Sequence, residues 1–211
     1  MREEHTIFSL SFTENRSTLQ KTWGLSDFYS ATADWPYPRG LVQPLNRMPP
    51  EILEAWPPGV AGGHESGFLA THSLEFWITS EDLPDPANRV ALDPDGAIRV
   101  RYSRNNTVAH ERLTAKLAEI LATIEGPGYR AQDHFRAQVM PIGVNSHQCG
   151  TARFGEDPAA SVLDLDCKAH DLDNLYVVDA SFFPSSGAVN PSLTIIANAL
   201  RVGAHLQERL S

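Results

Sequence analysis

Residues 5 to 12 alternate, with Phe8, Leu10 and Phe12 set to one side and Ser9 and Ser11 to the other, which is the period of a half-buried strand. From Ser26 to Gly67 the pattern dissolves into proline and glycine, including Trp35-Pro36-Tyr37-Pro38 and Trp56-Pro57-Pro58-Gly59. Proline removes ladder donors and fixes φ, so this stretch predicts ordered loop with one short helical turn near Pro50 to Trp56. Alternation returns from Phe68 to Thr79, where Phe68, Ala70, His72, Leu74, Phe76 and Ile78 share a face and predict a long strand. Arg89–Leu92 and Ile98–Tyr102 flank Asp93-Pro94-Asp95-Gly96, a turn whose glycine can take positive φ, and together predict an antiparallel hairpin.

Helical spacing takes over next. Asn106 can cap a helix whose apolar positions Leu113, Leu117, Ile120, Leu121 and Ile124 recur until Gly126 stops it. After Met140 come short segments rich in Gly, Asp and Asn. Leu175-Tyr176-Val177-Val178 is an apolar run typical of a strand buried on both faces. Asn190-Pro191 then opens a final helix carrying Leu193, Ile196 and Leu200, with Asn as expected N-cap and Pro at the first helical position.

Composition narrows the classes of function. The 211 residues suffice for one large domain or two small ones and for a substantial core. Seventeen basic against 26 acidic side chains give a net charge of −9, which repels phosphate backbones and argues against a nucleic-acid partner. No apolar run approaches the ~20 residues of a membrane span, and Met1-Arg-Glu-Glu does not read as a secretory signal. Two cysteines, Cys149 and Cys167, are too few for a disulfide framework and favour a reducing, cytoplasmic location.

The chemistry concentrates in the last third. His147-Gln148-Cys149-Gly150-Thr151 is followed by Arg153-Phe154-Gly155, Asp157-Pro158, Ser161-Val162-Leu163-Asp164, Asn174 to Pro184, and Asn190-Pro191-Ser192-Leu193-Thr194. This ordered series resembles the C-terminal part of the glucose-methanol-choline (GMC) family of FAD-dependent oxidoreductases, with His-x-x-Gly-Thr as its most recognisable element. Phe76-Trp77-Ile78-Thr79 and the hairpin from Asn88 to Tyr102 look like the same family's substrate domain.

The resemblance implies an α+β fold. Residues 1–135 would be a substrate-domain portion, an antiparallel sheet with covering helices. Residues 136–211 would be a C-terminal segment with the active-site motif, a buried strand over 174–179 and a helix over 191–209. Those last two are the closing strand and final helix of an FAD-binding α/β domain whose glycine-rich N-terminal unit has no counterpart in this sequence. The activity implied is oxidation of a CH–OH group, in an alcohol or sugar, to a carbonyl. His147 would take the hydroxyl proton while hydride passes to the flavin, a task suited to a group titrating near neutrality. Asn190 would hold the substrate oxygen by hydrogen bonding. The FAD would be approached by the backbone at Asp179 and Ala180, and by Asn190, Ser192 and Leu193 at the N-terminus of the last helix, whose dipole favours the negative charge of a reduced ring. The partners implied are a small alcohol or sugar and a flavin-binding N-terminal half or subunit. A truncated product, a segment of a longer polypeptide and one half of a split enzyme all remain open, as does a non-catalytic remnant or binding module.

Plainer readings stand beside these. Asn190 would serve as a helix cap alone, and Asp179 would terminate a strand. His147-x-Cys149 with Cys167-x-x-His170 offers four zinc ligands, but His-x-Cys is an unusual spacing and no metal is expected. The remaining histidines read as ordinary, with His72 a hydrogen-bonded core residue on the long strand. Gly126 to Ala131 fits G-x-G-x-x-A formally but follows a helix and reads as a helix stop.

Overall fold

The computed structural model describes residues 3–11, 23–45, 49–54, 66–127, 129–130, 135–140 and 142–211. In chain order the elements are β1 (Glu3–Ser11), β2 (Gly40–Leu45), α1 (Pro50–Glu54), α2 (Ser66–His72), β3 (Ser73–Glu81), β4 (Arg89–Leu92), β5 (Ile98–Arg101), α3 (Thr107–Leu121), β6 (Glu125–Gly126), β7 (Tyr129–Arg130), β8 (Phe135–Val139) and α4 (Ser192–Leu210). They fall into two compact units, one built mainly from Glu4–Ser80 and Asn106–Val144, the other from Glu81–Asn105 and Asn145–Ser211. This is a mixed α and β architecture whose sheets pair antiparallel wherever the register is defined.

The first unit holds a four-stranded sheet in the order β2-β3-β1-β8. In the β2–β3 ladder Val42 lies opposite Ile78 and Pro44 opposite Phe76. Those positions share a face, and α3 covers it: Leu113, Leu117 and Leu121 bury against Phe28, Val42, Phe76 and Ile78. The i, i+4, i+8 spacing along α3 is why these three side chains form one stripe. Ile120 and Ile124 fall off it and are exposed.

Expectations and structure part at several places in this unit. Phe68, Ala70 and His72 lie in α2, and the strand begins only at Ser73. The alternation there was coincidental: Phe68 and His72 are one helical turn apart, and their rings stack at 4.3 Å and 5° as i, i+4 neighbours do. The strand β2 stands inside the stretch expected to be loop. Val42 exchanges both its backbone groups with Leu25, at 3.2 and 2.8 Å, so the backbone groups of Pro44, two residues on, also point away from β3. The donor that proline lacks would have faced the sheet edge. Helix α3 ends at Leu121, and Gly126 is the last residue of β6, paired with Tyr129 of β7, so it is not the helix stop. Asn106 occupies the N-cap position but its side chain makes no capping hydrogen bond. Phe12, the Trp56 to Gly59 segment, His64 and His134 lie outside the described residues.

The second unit contains the expected hairpin, β4 against β5 with Leu92 opposite Ile98, and a small core of Leu163, Cys167, Ala169, Phe182 and Val202. Tyr176, Val177 and Val178 pack against that core, but residues 174–179 are not a buried strand. Tyr176 forms only an isolated antiparallel bridge with Lys168, and Leu175 is exposed. An apolar run becomes a strand only where neighbouring strands supply a ladder. Here its backbone is satisfied locally, through Ala169 N–H to the Leu175 carbonyl and Val177 N–H to the Cys167 carbonyl. The final helix forms over Ser192–Leu210, with Pro191 and not Asn190 at the N-cap.

Candidate active site

His147 is held by its neighbours before anything distant is considered. Asn145, almost wholly buried, accepts the His147 backbone N–H on Oδ1 at 2.8 Å, the Asx arrangement by which a short amide side chain mimics a turn. The Asn145 carbonyl also accepts the Gln148 side-chain amide. The imidazole itself is half-buried. Three residues on, Gly150 sits at φ 77°, a region glycine occupies without the Cβ penalty other residues incur. That backbone requirement is the physical reason for a glycine at this point of His-x-x-Gly.

The turn lays the following segment along another part of the unit. Gly150, Ala152 and Phe154 donate their N–H groups to the carbonyls of Ala180, Ser181 and Phe182 at 3.1, 3.0 and 3.1 Å. The His147 loop and the Asp179-Ala180 segment, far apart in sequence, are thus brought side by side. Asp179 is exposed and caps the short 3₁₀ turn Ala180–Phe182, its Oδ1 accepting the Ser181 N–H at 2.8 Å. Its carboxylate therefore has a local structural task.

Asn190, Ser192 and Leu193 cluster at the start of α4, and all three are exposed. No side chain caps this helix, so the first N–H groups, which have no intrahelical acceptor, carry the positive end of the helix dipole to the surface. The helix is fixed to the unit by Val202, buried with Phe182, by Asn198 Nδ2 donating to Cys167 Sγ at 3.3 Å, and by Arg201 paired with Asp166 at 2.8 Å. Upstream, buried Ser186 fastens its loop to residue 82, accepting the Asp82 N–H at 3.1 Å and donating to the Asp82 carbonyl at 3.3 Å. Asn145 and Ser186 are positioning residues that the sequence reading passed over. The Asn-x-His spacing is a usable Asx-turn signal for Asn145; nothing local marks Ser186.

The other candidate groups have ordinary employment. Cys167 and Cys149 are buried, and His170 Nε2 lies 3.2 Å from both Ser161 Oγ and the Gly155 carbonyl. Among the described residues no three His, Cys, Asp or Glu side chains converge as metal ligands. His110, on α3, is buried with Nδ1 2.7 Å from Ser80 Oγ, the hydrogen-bonded core histidine that His72 was expected to be.

Comparison with known proteins places the chain in a family. Residues 84–199 fit the C-terminal family model described as GMC oxidoreductase, and the chain belongs to that family. It is 33% identical over 212 residues to 6'''-hydroxyparomomycin C oxidase of Streptomyces lividus, covering 89% of this chain and 38% of the relative. It is 33% identical over 144 residues to 2-methyl-1,2-propanediol dehydrogenase of Mycolicibacterium austroafricanum, covering 65% of this chain and 26% of that one. The chain thus spans well under half the length of these relatives. The crystal structure of pyridoxine 4-oxidase from Mesorbium loti shares the fold, with TM-score 0.54 and 17% identity over 99% of this chain and 44% of that one. No helix among the described residues is long and apolar enough to cross a membrane.

Proposed function

We propose that this chain is the catalytic, substrate-side portion of an FAD-dependent oxidoreductase that oxidises a CH–OH group of an alcohol or sugar to a carbonyl. Bound FAD would supply the hydride acceptor. His147 takes the substrate hydroxyl proton, and Asn190 holds the same oxygen through its side-chain amide. The Ser192 and Leu193 N–H groups, at the exposed and uncapped start of α4, form an anion-favouring donor set suited to the part of the flavin that gains negative charge. The backbone at Asp179 and Ala180 would help hold the cofactor.

The observation that carries this reading is the triple backbone pairing of Gly150, Ala152 and Phe154 with Ala180, Ser181 and Phe182. It supports the reading by bringing the segment that follows His147 beside the Ala180–Phe182 turn.

Flavin binding calls for a nucleotide-binding portion, supplied as the rest of a longer polypeptide or as a separate subunit. An apolar stripe on α4 supports such a partner: Leu193, Ile196 and Leu200 are 79%, 58% and 72% exposed at the i, i+3, i+7 spacing of one helical face. The test is retention of visible flavin absorbance by the chain alone and together with a GMC nucleotide-binding portion, followed by anaerobic addition of alcohols and sugars. The expected result is retention only in the combined form, bleaching on substrate addition, and loss of bleaching but not of retention in His147→Ala. A combined form that stays colourless with FAD would overturn the proposal and leave a binding module in its place.

A further inference from the structure

A cavity of about 300 Å³ opens in the unit made of Glu81–Asn105 and Asn145–Ser211, walled by Asp85, Asn88, Arg89, Thr151, Arg153 and Ser161 among others. That volume lies at the small end of ligand pockets, which run from roughly 300 to 1,000 Å³. His147 is not among its lining residues.

The polar groups in the wall divide into those already committed and those that are not. The Asn88 side chain exchanges two hydrogen bonds with the Ser103 backbone, at 2.9 and 2.7 Å. Ser161 Oγ donates to the carbonyls of Gly155 and Asp157. The uncommitted donors are cationic. In a chain of net charge −9, Arg99 finds Asp93 and Arg201 finds Asp166, each at 2.7 to 2.8 Å. Among the described residues the Arg89 guanidinium has no hydrogen-bonding or ionic partner, and the Arg153 guanidinium reaches only the Ala160 carbonyl at 3.5 Å. Arg89 also stands directly opposite Arg101 in the β4–β5 register, a like-charge pairing that costs stability unless an anion intervenes. Thr151 adds a hydroxyl, and Asp85 adds a carboxylate whose Oδ1 accepts one backbone N–H.

We propose that this cavity binds a small phosphorylated polyol, its phosphate gripped by Arg89 and Arg153 with the Thr151 hydroxyl donating, and a ligand hydroxyl donating to Asp85. Two guanidiniums balance a phosphate dianion and present the planar forks that match phosphate oxygens. The Asp85 carboxylate, the anionic acceptor in the wall, selects a ligand body with hydroxyl donors over inorganic phosphate.

Calorimetric titration of the 211-residue chain with glucose 6-phosphate, inorganic phosphate and glucose tests this. Glucose 6-phosphate should bind saturably and more tightly than phosphate, glucose should not bind at this site, and the affinity should fall as salt rises. Arg89→Gln and Arg153→Gln should each weaken binding about tenfold. Arg112→Gln, on α3 and not in the cavity wall, should change it by no more than about twofold. Arg89 is exposed, so its variant keeps the fold, and an unchanged melting temperature verifies that. Absence of saturable binding, equal affinity for glucose, or equal affinity in wild type and Arg89→Gln would each overturn the proposal.

Discussion

The Gly150 N–H donates to the Ala180 carbonyl at 3.1 Å, and it does so from a left-handed backbone conformation, φ 77°. Two requirements meet at one residue, so the same change made here and elsewhere should have opposite effects. Gly150→Ala forces a Cβ into the left-handed region and should cost about 1–2 kcal/mol. Gly203→Ala, inside α4 with nothing within 4 Å of the added Cβ, should stabilise by about 0.5–1 kcal/mol. Urea unfolding of both variants checks the pair, and equal shifts in one direction would refute the backbone argument.

The Asn145 side chain orients His147 from behind, through the 2.8 Å bond to its N–H. In the flavin-loaded form, Asn145→Ala should slow flavin reduction by about tenfold through misplacement of the imidazole, with flavin content unchanged. His147→Ala should slow it by about 10²–10⁴ through loss of the proton acceptor. Asn145→Asp should recover most of the rate, because a carboxylate oxygen accepts the same N–H; stopped-flow reduction at saturating substrate measures all three. A rate for Asn145→Ala equal to the parent's would remove Asn145 from the site.

Sequence patterns carried the elements whose periodicity is set by one dominant contact. Helix α3 is legible because Leu113, Leu117 and Leu121 all meet the same sheet face, and the β4–β5 hairpin because Asp93 to Gly96 dictates its turn. The misreadings have equally local causes. Phe68, Ala70 and His72 continue the alternation of β3 by chance while obeying the helical contact between Phe68 and His72. Pro44 masks β2 because a proline is tolerated where its missing donor faces an edge. Val177 and Val178 look like a central strand because their apolar character answers a small core, whereas strand formation depends on neighbours that a local pattern does not reveal. In the candidate site the motif residues were legible one by one, but the pairing of residues 150–154 with 180–182 is a long-range backbone contact with no side-chain signature.

Gly40 offers a packing test in the other unit. A Cβ there would lie 3.0 Å from Leu113 Cδ2 and 3.3 Å from both Phe28 Cβ and the Phe28 carbonyl oxygen. Leu113 is 1% exposed and has no open space to move into, so Gly40→Ala should cost about 1–3 kcal/mol by overpacking. A melting temperature unchanged from the parent's would show that α3 yields more readily than its burial suggests.

The two apolar faces of α4 separate folding from assembly. Val202 is 1% exposed within the small core, and Leu206 packs beside it, whereas Leu193, Ile196 and Leu200 face outward. Replacing all three outward residues by Ser removes little burial from this chain, so its unfolding free energy should move by no more than about 0.5 kcal/mol per site. The same change removes the apolar surface a flavin-binding portion would cover, at about 25 cal/mol for each Å². Co-purification with that portion should therefore be lost while the circular dichroism spectrum and urea midpoint of the chain persist. If the triple variant still assembles and retains flavin, the outward stripe is not the docking face; if it unfolds, the stripe belongs to the fold of the chain itself.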